Sequence, residues 1–387
     1  MADVTNYIDR LVAELCPDGV EYRPLESLGK RNKGTAITAS KMRSLEPGKK
    51  DLRIFAAGST FVDTDSSNIP AKDILHGPAI IVKSRGYIGF EYYEKSFTHK
   101  NEMWSYTLDS NIVNQKFIYY YLLTQAYYLQ ELARSKSVKL PQLAVKDTDS
   151  LEVPVPPLEI QEAIVEILDK FTNLEAELEA ELEARTLQYE YYRDSLFEAL
   201  DCPHVPLGSL GVRNKGIAIT ASKMRTLEPG NKDVRIFAAG STFVDTDSSF
   251  IPDKGILEGP AIIVKSRGHI GFEYYEGKFT HKNELWSYSL TSDLVEQKFI
   301  YYYLLTQAYH LHELARGKSV KLPQLAVKDT DELLVPVPSL EEQQRIVDIL
   351  DRFDALTSSL SEGLPAELAV RRNQYEYYRD QLLSFPP

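Results

Sequence analysis

Cysteine, long apolar runs and a signal sequence are scarce or missing in this chain of 387 residues. Its two cysteines, Cys16 and Cys202, fit no metal-ligand spacing and cannot build a disulfide framework, which favours a reducing compartment. No run of about 18 apolar residues occurs, so no membrane span is expected. Because the chain starts with acidic residues and no basic n-region, we expect no signal peptide and a cytoplasmic location.

Signatures of catalysis are missing as well. The sequence has no G-x-G-x-x-G and no Asn/Asp-Pro-Pro-aromatic tetrapeptide of an amino-methyltransferase. Gly29 and Gly34 resemble a phosphate-binding loop, but the lysine that should follow the second glycine is absent. His99 and His281 recur in FTHKNE, where a histidine satisfied at a strand edge is the ordinary interpretation and a general base the alternative. We therefore expect no catalytic residue on this chain.

The chain contains the same domain twice. Residues 31–104 and 213–286 are identical at 62 of 74 positions at an offset of 182, and KSVKLPQLAVKDTD occurs at 136–149 and again at 318–331. This period is far longer than the roughly 20–50 residues of a solenoid repeat, so each copy is a whole domain. Two copies of one binding surface predict a target with two equivalent halves.

Comparison of the two copies also argues against a metal site. His310 and His312 could form a pair of ligands, but the matching residues of the first copy are Tyr128 and Gln130. We expect no metal and no cofactor on this chain.

Charge is distributed in blocks. The net charge is −12, which argues against indiscriminate nucleic-acid binding but allows a local basic surface. Residues 159–198 hold twelve acidic and three basic side chains, whereas residues 30–43 and 133–146 contain basic side chains and no acidic ones. Acidic helices and basic loops therefore alternate.

The acidic block predicts a long helix with a coiled-coil seam, because apolar residues recur there at steps of three and four. Its middle, 174–184, repeats the strong helix former LEAE. In the second copy the offset grows from 182 to 186, and Pro365 should kink or split the helix unless it begins a new one. LVAELCP at 11–17 resembles LFEALDCP at 196–203, so we expect the chain termini to meet in a nearly circular two-fold arrangement.

Between these helices lie segments typical of strands. LRIFAAG (52–58), AIIVKSRG (79–86) and KNEMWSYTL (100–108) have strand character, and KFIYYYLLTQAYYLQELA (116–133) predicts one helix buried in the core. Each copy is thus expected to be a compact mixed α/β domain followed by a helix. The predicted boundaries are an N-terminal helix at 1–17, the two copies of the domain at 18–157 and 202–339, and long helices at 158–201 and 340–387.

Three segments carry a resemblance to a known family. Residues 153–171, 335–353 and 362–385 are similar to conserved regions of the DNA-specificity subunit of type I restriction–modification systems, with Pro-x-Pro-x-Leu-Glu-x-Gln opening a long helix twice. The resemblance spans essentially the whole chain. It implies two target-recognition domains held apart by two long antiparallel helices, each domain reading half of a split DNA site.

The resemblance also implies partners. In this family the helices carry two modification subunits that use S-adenosylmethionine to methylate adenines, restriction subunits can join them, and the specificity subunit itself has no catalytic site. Two other functions stay open from the residues alone. One is a tandem structural module that binds protein, and the other is a stand-alone DNA-modifying enzyme.

Because recognition domains of this family vary widely, the DNA-contacting candidates come from chemistry. Phosphate binding needs Lys and Arg, and base recognition needs polar side chains on loops that reach a groove. The candidates of the first copy are Arg31, Lys33, Lys41, Arg43, Ser59, Thr60, Lys83, Ser84, Arg85, Tyr87, Lys100, Asn101, Lys136 and Lys139. Those of the second copy are Arg213, Lys215, Lys223, Arg225, Ser241, Thr242, Lys265, Ser266, Arg267, His269, Lys282, Asn283, Lys318 and Lys321.

The seams of the two long helices supply a second set of candidates, expected to pack against each other. They are Phe171, Leu174, Leu178, Leu182, Tyr189, Tyr192, Phe353, Leu356, Leu360, Leu368, Tyr375 and Tyr378.

Overall fold

The computed structural model describes residues 2–45, 50–136, 139–227, 232–317, 322–358 and 363–385. The chain divides into two compact units, one of Met1–Leu178 with Leu368–Pro387 and the other of Glu179–Glu367. Among the described residues, no helix combines the length and apolarity that a membrane span requires.

The first unit opens with helix α1 (Ala2–Leu15) and then contains the first copy. The strands of that copy are β1 (Tyr22–Pro24), β2 (Gly29–Lys33), β3 (Leu52–Phe55), β4 (Phe61–Thr64), β5 (Leu75–His76), β6 (Ala79–Lys83), β7 (Gly89–Tyr93), β8 (Ser96–His99), β9 (Trp104–Leu108) and β10 (Glu152–Pro154). Its α-helices are α2 (Ala39–Arg43), α3 (Gln115–Thr124), α4 (Ala126–Ser135) and α5 (Val145–Asp149), and its 3-10 helices are Leu25–Leu28, Ser66–Asn68 and Ala71–Asp73.

Helix α6 (Leu158–Glu198) follows and leads into the second copy. The strands there are β11 (His204–Pro206), β12 (Gly211–Lys215), β13 (Val234–Phe237), β14 (Phe243–Thr246), β15 (Leu257–Glu258), β16 (Ala261–Lys265), β17 (Gly271–Tyr275), β18 (Lys278–His281), β19 (Trp286–Leu290) and β20 (Leu334–Pro336). The α-helices are α7 (Ala221–Arg225), α8 (Gln297–Gly317), α9 (Val327–Asp331), α10 (Leu340–Thr357) and α11 (Gly363–Leu382), and the 3-10 helices are Leu207–Ser209, Ser248–Phe250 and Asp253–Gly255.

Each copy contains two four-stranded sheets and a two-stranded ribbon. The strand orders in the first copy are β2-β9-β6-β7, entirely antiparallel, and β4-β3-β8-β5, in which β3 runs parallel to β8. Strands β12–β19 repeat both orders in the second copy, and the ribbons pair β1 with β10 and β11 with β20.

Strand β6 lies at the centre of the first copy. Ile80 and Val82 contact the core formed with α3, while Ala79 and Ile81 face a second core that contains Phe55. Because both faces of the strand are buried, its residues form a continuous apolar run rather than an alternating one. The three strands predicted from sequence are confirmed as β3, β6 and β9.

The helix predicted at 116–133 is single in the second copy, where α8 runs unbroken, but it is two helices in the first copy. The break falls at Gln125, whose N–H donates to the Leu122 carbonyl 3.1 Å away in a tight three-residue turn. Tyr120 and Tyr121 of α3 are buried, as predicted for a core helix, whereas Tyr127 and Tyr128 of α4 are 78% and 56% exposed, so the prediction of burial holds for α3 and not for this face of α4.

Helix α6 packs against the C-terminal helices within each unit. In the first unit Phe171 stacks on Tyr378 at 5.5 Å, and Arg372 pairs with Glu175 at 2.5 Å, which makes α6 and α11 antiparallel. In the second unit Tyr192 stacks on Phe353 at 5.8 Å. Rings of both predicted helix seams are therefore in contact.

Most, but not all, of the other seam candidates are at least partly buried. The Leu174 side chain is 47% exposed, so it does not belong to the buried seam. The seam candidates that are partly or fully buried are Leu178, Leu182, Tyr189, Leu356, Leu368 and Tyr375.

Pro365 splits the second long helix, as predicted. Helix α10 ends at Thr357 and α11 begins at Gly363, while Leu360 lies outside the described residues. Gly363 has a φ of +74°, and a Cβ there would lie 2.5 Å from the carbonyl oxygens of Ala355 and Leu356. Only glycine fits at position 363, because the backbone there has a positive φ and lies too close to the last turn of α10 for a side chain.

The two ends of the chain meet within the first unit, as the sequence predicts. The Tyr22 hydroxyl donates to the Phe385 carbonyl at 3.0 Å, and the Phe385 ring lies 6.2 Å from that of Phe117. In the second unit Phe197 lies 5.2 Å from Phe299, the counterpart of Phe117. The segment that follows α11 thus contributes a phenylalanine ring to the core of the first unit, as the end of α6 does in the second unit.

Candidate nucleic-acid interface

An exposed loop follows the central strand of each copy and is named here the tip loop (residues 84–88 and 266–270). At its base Ser84 is buried, and its hydroxyl donates to the Glu102 carbonyl. Gly86 adopts a φ of +80°, and its N–H donates to the Pro141 carbonyl at 2.9 Å. Arg85 and Tyr87 are exposed, Tyr87 to 73%, so a hydrogen-bonded backbone presents two side chains to solvent.

Helix α4 holds the tip loop from behind. The Gln130 side chain accepts the Ile88 N–H at 2.8 Å and donates to the Gly86 carbonyl at 3.3 Å. In the second copy the corresponding residue is His312.

Neighbouring segments converge beside the tip loop. The Lys100 N–H donates to the Phe55 carbonyl at 3.0 Å, and the Thr35 N–H donates to the His99 carbonyl at 2.7 Å. The Asn101 amide donates to the Gly34 and Thr35 carbonyls, at 2.8 and 3.1 Å. We call this surface the loop face: residues 32–35, 56–60, 84–88, 99–102 and 139–142, with residues 214–217, 238–242, 266–270 and 281–284 as its second-copy counterparts.

Charged side chains of the loop face interact with one another, as the carboxyl group of Glu102 shows. Burial alone would raise the pKa of the Glu102 carboxyl, but the hydrogen bond from Lys100 and the nearby charge of Arg85 hold it below its usual value. Glu102 therefore stays ionised, and it partly offsets the positive charge of this surface.

His99 and His281 lie beneath the loop face and are fully buried. Their Nε2 atoms lie 3.2 and 3.1 Å from the hydroxyls of Ser105 and Ser287, and burial lowers the pKa of both histidines to about 4. This is the satisfied, neutral histidine expected from the sequence.

The predicted DNA-contacting cations fall into two groups. Those that pair with a carboxylate of their own copy are Arg31 with Asp149, Lys83 with Glu91, Lys100 with Glu102, Lys136 with Asp147, Arg213 with Asp331, Lys265 with Glu273, and Lys282 with Glu284. The exposed ones are Lys33, Lys41, Arg43, Arg85, Lys139, Lys215, Lys223, Arg225 and Arg267. Lys318 and Lys321 lie outside the described residues.

The uncharged candidates divide in the same way. Ser59, Thr60, Tyr87, Asn101, Ser241, Thr242, His269 and Asn283 are exposed, whereas Ser84 and Ser266 are buried in the base of the tip loop.

Lys41 and Arg43 are displayed by the short helix α2. Thr38 caps that helix by accepting the Lys41 N–H at 3.1 Å, and Met42 is buried between them in an apolar cluster with Ile54. The buried methionine fixes the helix and leaves both cations in solvent.

One cluster beside the loop face was not predicted from the sequence. Arg53 donates to both carboxylate oxygens of Asp63, at 2.7 and 2.9 Å, and its guanidinium lies 3.9 Å from the centre of the Phe61 ring. Arg235, Asp245 and Phe243 repeat the cluster. The signal was present in RIFAAGSTFVD, because a hairpin around AAGST places the arginine opposite the aspartate.

Two sequence differences between the copies occupy different places. Tyr87 and His269 lie on the loop face, whereas Asn68 and Phe250 follow the end of β4 or β14 farthest from it.

A further difference is a coupled pair that the sequence comparison missed. The Thr35 hydroxyl donates to Asp73 at 2.9 Å in the first copy. The second copy has Ile217 and Gly255 there, and a Cβ on Gly255 would lie 2.5 Å from the Ile217 side chain. The two substitutions therefore depend on each other, and they exchange a polar contact for an apolar one.

Comparison with known proteins agrees with this architecture. The family model described as "Type I restriction modification DNA specificity domain" matches residues 17–184 and 213–370. The chain is 32% identical over 324 residues to the EcoR124I/EcoR124II specificity subunit of Escherichia coli, covering 78% of this chain and 77% of that protein. The chain belongs to the family of type I restriction–modification specificity subunits.

Other relatives give the same result. A putative type I specificity subunit of Mycoplasma pneumoniae, S.MpnORF365P, is 31% identical over 258 residues, which cover 64% of this chain and 91% of that protein. The crystal structure of an S subunit from M. genitalium aligns with a TM-score of 0.57 at 20% identity over 94% of this chain and 96% of that chain, which shows a shared fold. This specificity subunit is therefore a DNA-recognition protein with two recognition domains and a non-catalytic role.

Proposed function

We propose that this specificity subunit recognises a bipartite DNA site with two similar halves and carries two modification subunits. The observation that supports this most directly is the near-identity of its two loop faces, which present equivalent exposed cations, Arg85 and Arg267, at equivalent tip loops. Nearly identical recognition domains should bind similar sequences, so two such domains suit a DNA target made of two matching halves.

Exposed aromatic residues on the helices support two equivalent partner sites. Tyr191 is 69% exposed and Tyr377, at the matching position of the shared QYEYYRD, is 60% exposed. Each adjoins a tyrosine, Tyr192 or Tyr378, that stacks within its own helix seam. Large exposed aromatic rings are enriched at protein interfaces.

The catalytic chemistry belongs, in this proposal, to the partners. The modification subunits bind S-adenosylmethionine and transfer its methyl group to an adenine in each half-site. The specificity subunit chooses the DNA and positions the partners. Among the described residues, no group of three or more His, Cys, Asp or Glu side chains could hold a metal ion.

Reconstitution tests this division of labour. The purified chain should transfer no methyl group from labelled S-adenosylmethionine to DNA, and transfer should begin when its modification subunit is added. The double variant Tyr191→Ala/Tyr377→Ala should retain less modification subunit in size-exclusion chromatography, whereas Phe250→Ala, at an exposed aromatic outside α6 and α11, should retain it fully. Methyl transfer by the highly purified chain alone would contradict the proposal.

A further inference from the structure

In each copy a half-exposed phenylalanine directly follows the 56–60 or 238–242 segment of the loop face, with an arginine lying against one side of its ring. Phe61 is 47% exposed and Phe243 is 46% exposed. The guanidinium carbons of Arg53 and Arg235 lie 3.9 and 4.1 Å from the respective ring centres. A second aromatic ring, Tyr93 in the first copy, lies 5.4 Å from the same guanidinium.

The arginine is committed to holding the ring. Arg53 uses two N–H groups on the Asp63 carboxylate, and this hydrogen bonding raises the pKa of Arg53 and lowers that of Asp63. A two-point contact with guanine would require the same fork and would break the ion pair. Arg53 is therefore a positioning residue, and the ring it fixes is the group presented outward.

The ring stands where DNA contacts are expected. Phe55 is paired with Phe61 on one side and with His99 on the other, so Phe61 lies at the end of the sheet that carries the Lys100 turn. The connection of residues 56–60 is made of small residues, and a Cβ added to Gly58 would meet no atom within 4 Å.

We propose that Phe61 and Phe243 each contact the 5-methyl group of a thymine in the half-site recognised by their copy. This inference rests on the proposed function. A phenylalanine ring neither donates nor accepts an ordinary hydrogen bond, and the thymine methyl is the apolar feature of a base edge in the major groove. Nearby exposed cations such as Lys33 supply charge for the phosphates, and the ring adds sequence preference.

The second copy offers a matched control. Phe250 is 45% exposed, nearly the same as Phe243, but it lies toward the opposite end of the sheet and is Asn68 in the first copy. The full complex with its modification subunits should be titrated with a duplex that carries its own methylation site. Phe243→Ala should weaken binding about tenfold, whereas Phe250→Ala should change it less than about twofold.

Base analogues identify the contact. Replacing each thymine of the half-site in turn with deoxyuridine, which lacks the methyl group, should weaken wild-type binding about fourfold at one position. The Phe243→Ala complex should lose no further affinity when the same thymine is replaced. Equal sensitivity of wild type and Phe243→Ala, or no sensitive thymine, would overturn the inference. A wild-type complex that binds its own site no better than a scrambled duplex would overturn the proposed function and this inference with it.

Discussion

The tip-loop arginine is the single side chain from which we expect the clearest effect on recognition. Arg85→Ala, or Arg267→Ala in the other copy, should weaken binding to the specific site by about 1–3 kcal/mol if the guanidinium contacts a base. The fixed backbone of Ser84 and Gly86 makes a wider structural effect small, because neither uses the Arg85 side chain. Competition binding with each half-site altered measures the effect, and unchanged half-site preference would reject Arg85 as a base-contacting residue.

Lys41 and Lys139 should behave differently, because exposed lysines suit phosphates. Substituting either with alanine should weaken binding to specific and unrelated duplexes alike. The slope of log K against log salt should fall in magnitude by about 0.9 for each lost contact. Titrations at several salt concentrations measure the slope. Selective loss of one half-site would mean that the lysine recognises a base instead.

The buried histidines make stability depend on pH. Because the folded-state pKa of His99 and His281 is about 4, below the unfolded value of about 6.5, the unfolded chain binds more protons between these values. Their stabilising contribution is full above about pH 6.5 and is lost as the pH falls toward 4, at most about 3 kcal/mol each. The free energy of unfolding of His99→Gln, measured by urea denaturation, should fall less between pH 7 and pH 5 than that of wild type. A parallel fall in both proteins would contradict this assignment.

Among the elements, α6 invites a test of length. The LEAE repeat at 174–184 lies inside an unbroken helix that runs from the first unit into the second. Removing one LEAE shortens a helix by about 6 Å and turns it by about 40°, comparable with about two base pairs of rise at about 3.4 Å each. The deletion should therefore shorten the spacer between the half-sites by about one or two base pairs and leave the half-sites unchanged. Methylation-site mapping of the variant measures the spacer, and an unchanged spacer would reject the prediction that the length of α6 sets the distance between the half-sites.

The elements also show how far sequence patterns reach. The apolar run of β6, the heptad-like seam of α6 and the break at Pro365 depend on local chemistry, and all were predictable. The pairing of Arg31 with Asp149 was not, because the two residues are 118 positions apart and meet only through the fold. The same limit hid the Arg53–Phe61 contact, which requires the hairpin register. Patterns therefore located the loops, but they could not separate exposed cations from those engaged by carboxylates.

For the whole molecule, the repeat predicts the symmetry of the DNA site. In the proposed two-fold arrangement the two domains would face a duplex in opposite senses, so nearly identical domains should recognise inverted half-sites. Asn68 and Phe250 lie away from the loop face, and the exchange of Thr35 for Ile217 is compensated by Gly255. Tyr87 against His269 then stands as the main exposed difference beside the tip-loop arginines, and Gln130 against His312 is the difference behind them.

We therefore expect a bipartite site whose halves are inverted copies or differ at one position at most. Exchanging the residue, His269→Tyr, should make the two halves more alike. Methylome sequencing of cells that express the chain with its modification subunit measures both. Two unrelated half-sites would mean that these domains, or their two-fold relation, have been wrongly assigned as the source of recognition.

The contribution of the last residues to the first unit has a consequence for biosynthesis. Residues 179–367 form a continuous unit, so everything that the second unit needs has been synthesised before residue 368 is added. The core around Phe117 and Tyr22 waits for Phe385, which is translated some twenty residues later. The first unit, which leaves the ribosome before the second, is thus completed after it, and until then the apolar side chains that Phe385 contacts are open to chaperones and to other nascent chains.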